Sequence, residues 1–118
     1  MRGARVSVSG FDIAANDVGM RVQDDGVVNV TGGTALHSND AQGVLVVGGR
    51  LTMRNAEARE NASDGVRMES GTMGELQGND FNGNQGWGIF CQSEVVLARC
   101  SNTYTSNGSG DSNCKICN

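Results

Sequence analysis

Apolar residues in this chain come in short alternating runs, each broken by Gly, Asn, Asp or Ser before a helix could form. "VLV" at 44–46, "VRM" at 66–68 and "GIFC" at 88–91 are typical. Apolar side chains at every second position turn one face of an extended segment toward a core, and no stretch carries the 3.6-residue stripe of an amphipathic helix. The runs recur. Asn followed four residues later by Gly, then by an alternating apolar pair, appears as "NDAQGVLV" from Asn39, "NASDGVRM" from Asn61 and "NQGWGIFC" from Asn84. Degenerate copies lie at "ANDVGMRV" and from Asn107, where Asp111 replaces the glycine. Gly19, Gly43, Gly65 and Gly88 are separated by 24, 22 and 23 residues. Ile13, Leu36, Ala58, Phe81 and Tyr104 keep the same period three residues ahead of each asparagine. Further apolar pairs fall between these landmarks: Val28 and Val30, Leu51 and Met53, Met73 and Leu76, Val95 and Leu97. Each unit therefore predicts about three strands of two to five residues.

A unit this short cannot bury its own apolar face, so the units must stack, each strand pairing in parallel with its copy one turn on at about 4.8 Å. Stacking predicts inward rows: Val44, Val66 and Ile89 in one, and Val22, Val46, Met68, Cys91 and Cys114 in another. Arg21, Leu45, Arg67 and Phe90 then face outward between them. Asn16, Asn39, Asn61, Asn84 and Asn107 should form a ladder of side-chain amides at one corner. The glycine that follows each corner is read as supplying a backbone angle that a side chain would forbid.

With 118 residues the chain is expected to be one domain, 1–118, in which residues 107–118 can fold as a C-terminal plug. A net charge of −4 argues against nucleic acid and anionic membrane as partners, since both need a basic face. No apolar run approaches the roughly 18 residues of a membrane span. The compartment stays open: cytoplasmic if Met1 is the native start, extracellular if the sequence is a fragment or lacks its leader. All four cysteines, Cys91, Cys100, Cys114 and Cys117, fall near the C-terminus. Cys91 and Cys114 are one coil apart in one inward row, within disulfide range, and Cys100 and Cys117 meet if the last residues fold back. Core thiols and a four-cysteine zinc site are the alternatives. No cofactor is expected.

The inward asparagines, corner glycines and 22–24-residue coil resemble the right-handed parallel β-helix of the pectate-lyase-like superfamily, over about Val6 to Cys117. The resemblance implies an all-β fold, a right-handed single-stranded parallel β-helix (solenoid) of about five coils with 22–24 residues per coil. It leaves function wide, since lyases, glycoside hydrolases and non-enzymatic proteins share the fold. Polygalacturonase-like members carry paired aspartates, a nearby histidine and an Arg-x-Lys motif. Here Asp24-Asp25 stands before Gly26 as an ordinary turn, and the only lysine is Lys115. No complete lyase or hydrolase constellation is present, so enzymatic activity is left open with the balance against it.

The candidate ligand or association face is the outside of the "VLV" strands: Arg21, Asp24, Leu45, Val47, Arg67, Glu69 and Phe90. Arginine and acidic groups there suit saccharide hydroxyls, while Leu45, Val47 and Phe90 suit self-association. His37, the only histidine, should face outward beside Arg59 and Asn82 without an acidic partner. A solenoid has two open ends, and nothing in "MRGARVSVSG" resembles a cap. These features point to a non-catalytic scaffold or self-association module, a homo-oligomer through its uncapped N-terminal coil. The alternative is a protein that binds or processes a polysaccharide.

Overall fold

An alternating run of three to five residues buries its inward side chains only if a parallel neighbour extends the sheet on each side. The computed structural model, which describes residues 4–117, supplies that neighbour every 22 to 24 residues. The first coil holds β1 (Arg5–Ser9), β2 (Asp12–Ala14) and β3 (Met20–Val22). The second holds β4 (Val27–Thr31), β5 (Ala35–His37) and β6 (Val44–Val46), and the third β7 (Arg50–Arg54), β8 (Glu57–Arg59) and β9 (Val66–Met68). β10 (Met73–Asn82) and β11 (Trp87–Cys91) make the fourth coil, β12 (Val96–Thr105) and β13 (Gly110–Ser112) the fifth. Every pairing among them is parallel, in an eight-stranded sheet (β1-β4-β7-β10-β8-β5-β2, with β12 on β10) and a five-stranded one (β13-β11-β9-β6-β3). This is a parallel β-solenoid of about five coils, without a helix among the described residues.

Three short strands per coil hold for the first three coils only. In the fourth, β10 runs ten residues around a corner, because Gly78 takes φ +70° there and the ladder resumes after a register shift. The inward rows stack as the period requires. Ile13, Leu36, Ala58, Phe81 and Tyr104 are register partners in turn, and the rings of Phe81 and Tyr104 stack 5.6 Å apart. Val44, Val66 and Ile89 form a second buried row, and Val22, Val46 and Met68 a third. Burying each such side chain is worth about 1.5–3 kcal/mol. Met73 departs from the expected pattern. It faces outward, and Gly74 takes the inward place. The reason is volume: a Cβ on Gly74 would stand 2.9 Å from Cε of Met68, whose long side chain already fills that space.

At the corner between the second and third strands of each coil, the amides of Asn39, Asn61, Asn84 and Asn107 bond in sequence. Each Nδ2 donates to the next Oδ1 at 2.9 Å. The same Oδ1 atoms accept the preceding backbone N–H at 3.1–3.2 Å. Asn16 joins only through its N–H, which donates to Asn39 Oδ1; its exposed side chain turns to the carbonyl of Ala14. Asn79 and Asn102 form a second short ladder, at the Gly78 corner, in which Asn79 donates to Asn102 Oδ1 at 2.9 Å.

The corner glycines have a different cause from the one expected. Gly19, Gly43, Gly65 and Gly88 do not adopt positive φ. They are glycine because successive coils approach too closely for a side chain: a Cβ on Gly65 would lie 2.7 Å from the carbonyl of Gly88 and 3.0 Å from Nδ2 of Asn84. The left-handed angle falls instead on the residue before each ladder asparagine. Ala15, Ser38, Glu60, Gly83 and Ser106 have φ between 54° and 68°, and only one of them is glycine.

Cys91 is bonded to Cys114 (Cα–Cα 5.2 Å) and Cys100 to Cys117 (4.7 Å). Paired so, the four sulfurs leave no thiolates for a zinc site. Of the stretch expected as a plug, Gly110–Ser112 is β13, paired with β11 as part of the fifth coil, and residues 113–117 form no strand.

Candidate functional site

Because side chains alternate, each side of the solenoid presents its own outward rows, and the three differ in charge. Outside the third strands lie most of the residues chosen from the sequence as a ligand face: Arg21, Leu45, Arg67 and Phe90 in one row, with Val47, Glu69 and Asp24 beyond it. There Arg67 is already engaged. Its guanidinium lies 4.6 Å from the centre of the Phe90 ring, 3.7 Å from Glu69 and 3.9 Å from Asp64. Arg21 donates to Gln23 at 2.8 Å. Asp24 and Asp25 both have positive φ, in a turn closed by the Gly26 N–H donating to the Gln23 carbonyl.

Outside the second strands the expected lone histidine has a partner. His37 Nε2 lies 2.5 Å from Oδ1 of Asp12, which stands one coil earlier and 25 residues away. Its Nδ1 lies 3.1 Å from the hydroxyl of Ser38. The row pairing hides this contact, since the register partner of His37 is Ala14 and Asp12 sits diagonally. A Ser–His–Asp sequence of contacts also needs donors for a developing oxyanion. The neighbouring N–H groups are committed: that of Ser38 to the Arg59 carbonyl, that of Asn39 to Asn61.

The first side is different. Arg5, Arg50, Arg54 and Arg99 point outward from β1, β7 and β12, and Glu75, in the first-side half of β10, is the acid that stands among them. Four of nine cationic residues thus gather on one side of a chain with net charge −4. Glu75 holds the group together. Its carboxylate lies 3.1 Å from Arg54, 3.8 Å from Arg99 and 4.0 Å from Arg50. Its side chain is 16% exposed, whereas those of Arg50, Arg54 and Arg99 are 45%, 47% and 65% exposed. Three guanidiniums around one carboxylate leave a formal excess of two positive charges facing solvent, each with donors to spare. Beside them runs an open groove of about 520 Å³, lined by Arg5, Asp25, Asn29, Arg50, Thr52 and Met73 among others.

Strict 23-residue spacing from Glu75 would bring Ala98 alongside it. A one-residue bulge in β12 places Arg99 there instead. No periodic reading of the sequence finds this partner. The local signal was Ala98 itself, an extra small residue inside a run that otherwise alternates.

Asp64 is the buried acid among the described residues. Its Oδ1 accepts the Trp87 N–H at 2.7 Å. Burial raises its pKa above the ordinary aspartate value, opposed by the Trp87 hydrogen bond and by Arg67. A carboxyl whose folded pKa is raised costs stability in its ionised form. That cost is absent below the unfolded value of about 3.9 and develops as pH climbs through the folded one. Asp64→Asn keeps an oxygen for Trp87 and removes the charge. In urea titrations it should match the parent at pH 3 and exceed it at pH 7; a pH-independent difference would refute the assignment.

The family model described as "Right handed beta helix region" matches residues 1–116, nearly the whole chain. Comparison with curated proteins and with solved structures returned no match.

Proposed function

Because the chain belongs to the right-handed β-helix family, we propose that it is a non-catalytic module that binds an acidic polysaccharide along the arginine side formed by β1, β7 and β12. The observation that carries this is Glu75 drawing Arg50, Arg54 and Arg99 into one exposed cluster beside a groove. Repeated carboxylates or sulfates on a linear polymer could meet Arg5, Arg50, Arg54 and Arg99 in turn, and bidentate geometry favours Arg for such groups. Asn29 and Thr52 offer neutral partners for hydroxyls. A groove with one acid, Asp25, supports binding rather than hydrolysis, which commonly uses a pair of carboxylates. The two disulfides suit an oxidising compartment, where extracellular polysaccharides are met.

The test is titration with polygalacturonate and with dextran sulfate, using neutral dextran as the control. Binding should be saturable, absent for neutral dextran and weaker at high salt. Hydrogen bonds to charged groups contribute about 1.5–3 kcal/mol, so Arg54→Ala and Arg99→Ala should each lower affinity roughly tenfold or more. Arg21→Ala, on the other side of the solenoid, should leave it unchanged. Equal binding by all three variants would sink the proposal.

A further inference from the structure

The four arginines of the first side belong to alternate coils. Arg5 lies on the first coil, Arg50 and Arg54 on the third, and Arg99 on the fifth. The coils between them present no cation on that side: Val27, Asn29 and Thr31 face outward from β4, and Met73, Glu75 and Gln77 from β10. Parallel strands stand about 4.8 Å apart, so positive charge recurs about every 9.6 Å along the solenoid axis. One outward row, followed by register from coil to coil, runs Arg5, Val27, Arg50, Met73 and Val96. Cations and apolar side chains take turns in it as far as Met73. Two acids fall in the gaps. Asp25 lines the groove in the turn leading into β4, and Glu75 stands on β10.

The groove runs in the same direction. Its lining takes Arg5 from β1, Val27 and Asn29 from β4, Arg50 and Thr52 from β7 and Met73 from β10, so it crosses four strands rather than following one. Gly49 and Gly71 leave its wall low at the corner. A Cβ on Gly49 would run into the Gly26 carbonyl, so that stretch of wall stays bare. A linear polymer lying in the groove therefore meets arginine at one coil and apolar, neutral or acidic side chains at the next.

Building on the polysaccharide reading of this side, we propose that the ligand is a polymer in which an anionic sugar alternates with an uncharged one. The anionic units sit over the first, third and fifth coils, each met by arginine. The uncharged units sit over the second and fourth. There Val27 and Met73 receive the apolar face of a sugar ring, while Asn29 and Gln77 offer partners to its hydroxyls or amides. Asp25 and Glu75 supply the discrimination, since a carboxylate on an intervening unit would be set against one of them.

Calorimetric titration with two polymers tests this, at equal carboxylate concentration and fixed ionic strength. Hyaluronan carries a carboxylate on every second sugar, polygalacturonate one on each. Hyaluronan should bind roughly tenfold tighter, a difference of about 1.4 kcal/mol. Met73→Arg places a cation on the fourth coil at an exposed position, and should narrow that gap by strengthening polygalacturonate binding. If Met73→Arg loses its strand circular dichroism, Gln77→Lys on the same strand decides in its place. Equal affinity for the two polymers, tighter binding of polygalacturonate, or a gap that the added cation does not narrow would each overturn the alternation, while the arginine side would stand as a polysaccharide site. Binding of neither polymer would remove both.

Discussion

Asn61→Ala is expected to destabilise the protein by about 3–5 kcal/mol, a large share of the roughly 5–15 kcal/mol typical of a domain. Four hydrogen bonds go with the side chain. Its Oδ1 accepts both the N–H and the Nδ2 of Asn39, and its Nδ2 donates to the Leu36 carbonyl and to Asn84 Oδ1. Asn39 is buried, so its two donors are left without water. A stranded buried polar group costs about 1–3 kcal/mol, and the cavity prevents easy repair. Asn16→Ala is the contrast. Its side chain reaches only the Ala14 carbonyl at an exposed position, and the change should stay within about 0.5 kcal/mol. Asn61→Asp adds a pH test. The oxygen replacing Nδ2 would face two acceptors, the Leu36 carbonyl and Asn84 Oδ1, and so disfavour ionisation. That variant should lose stability as pH rises. Urea midpoints for the three variants, at pH 3 and pH 7, check all of this; equal losses for Asn16→Ala and Asn61→Ala would show that the ladder is not an energetic unit.

Gly65→Ala should cost about 2–3 kcal/mol although Gly65 has an ordinary backbone angle. The added methyl would meet the Gly88 carbonyl at 2.7 Å, Cδ1 of Phe81 at 2.9 Å and Nδ2 of Asn84 at 3.0 Å. A carbonyl tied into the next rung cannot retreat without breaking the ladder there. Ser106→Gly should do the reverse. Ser106 holds φ 54°, a conformation that costs an L-residue about 1–2 kcal/mol and glycine very little. The entropy glycine adds to the unfolded chain offsets part of the gain, leaving up to about 1 kcal/mol. Thermal midpoints should therefore move in opposite directions for the two variants. If Gly65→Ala were silent, the close approach of the rungs would not be what selects glycine in that column.

Much of the fold was legible because parallel stacking converts a sequence period into a spatial neighbour. Once Leu36, Ala58, Phe81 and Tyr104 repeat in register, their contact follows, and so does the Asn39–Asn61–Asn84–Asn107 ladder. The reading failed where a contact leaves the row. His37 meets Asp12 diagonally, and Glu75 meets Arg99 only because β12 carries a bulge. Asn79 and Asn102 share the 23-residue spacing, but no alternating apolar pair follows four residues behind them, so they did not stand out. The residues chosen from the sequence as a ligand face were visible as outward rows. Their engagement with one another, as of Arg67 with Phe90, Glu69 and Asp64, was not.

By itself the amino-acid sequence determined the coil length, the inward rows and the ladder, since these depend on residues one period apart along the chain. Tertiary structure alone decided where charge collects and which column of residues bears the left-handed angle. Those properties depend on bulges, diagonal neighbours and the width left between rungs, and distances of a few ångströms between separate coils leave no periodic trace in the order of residues.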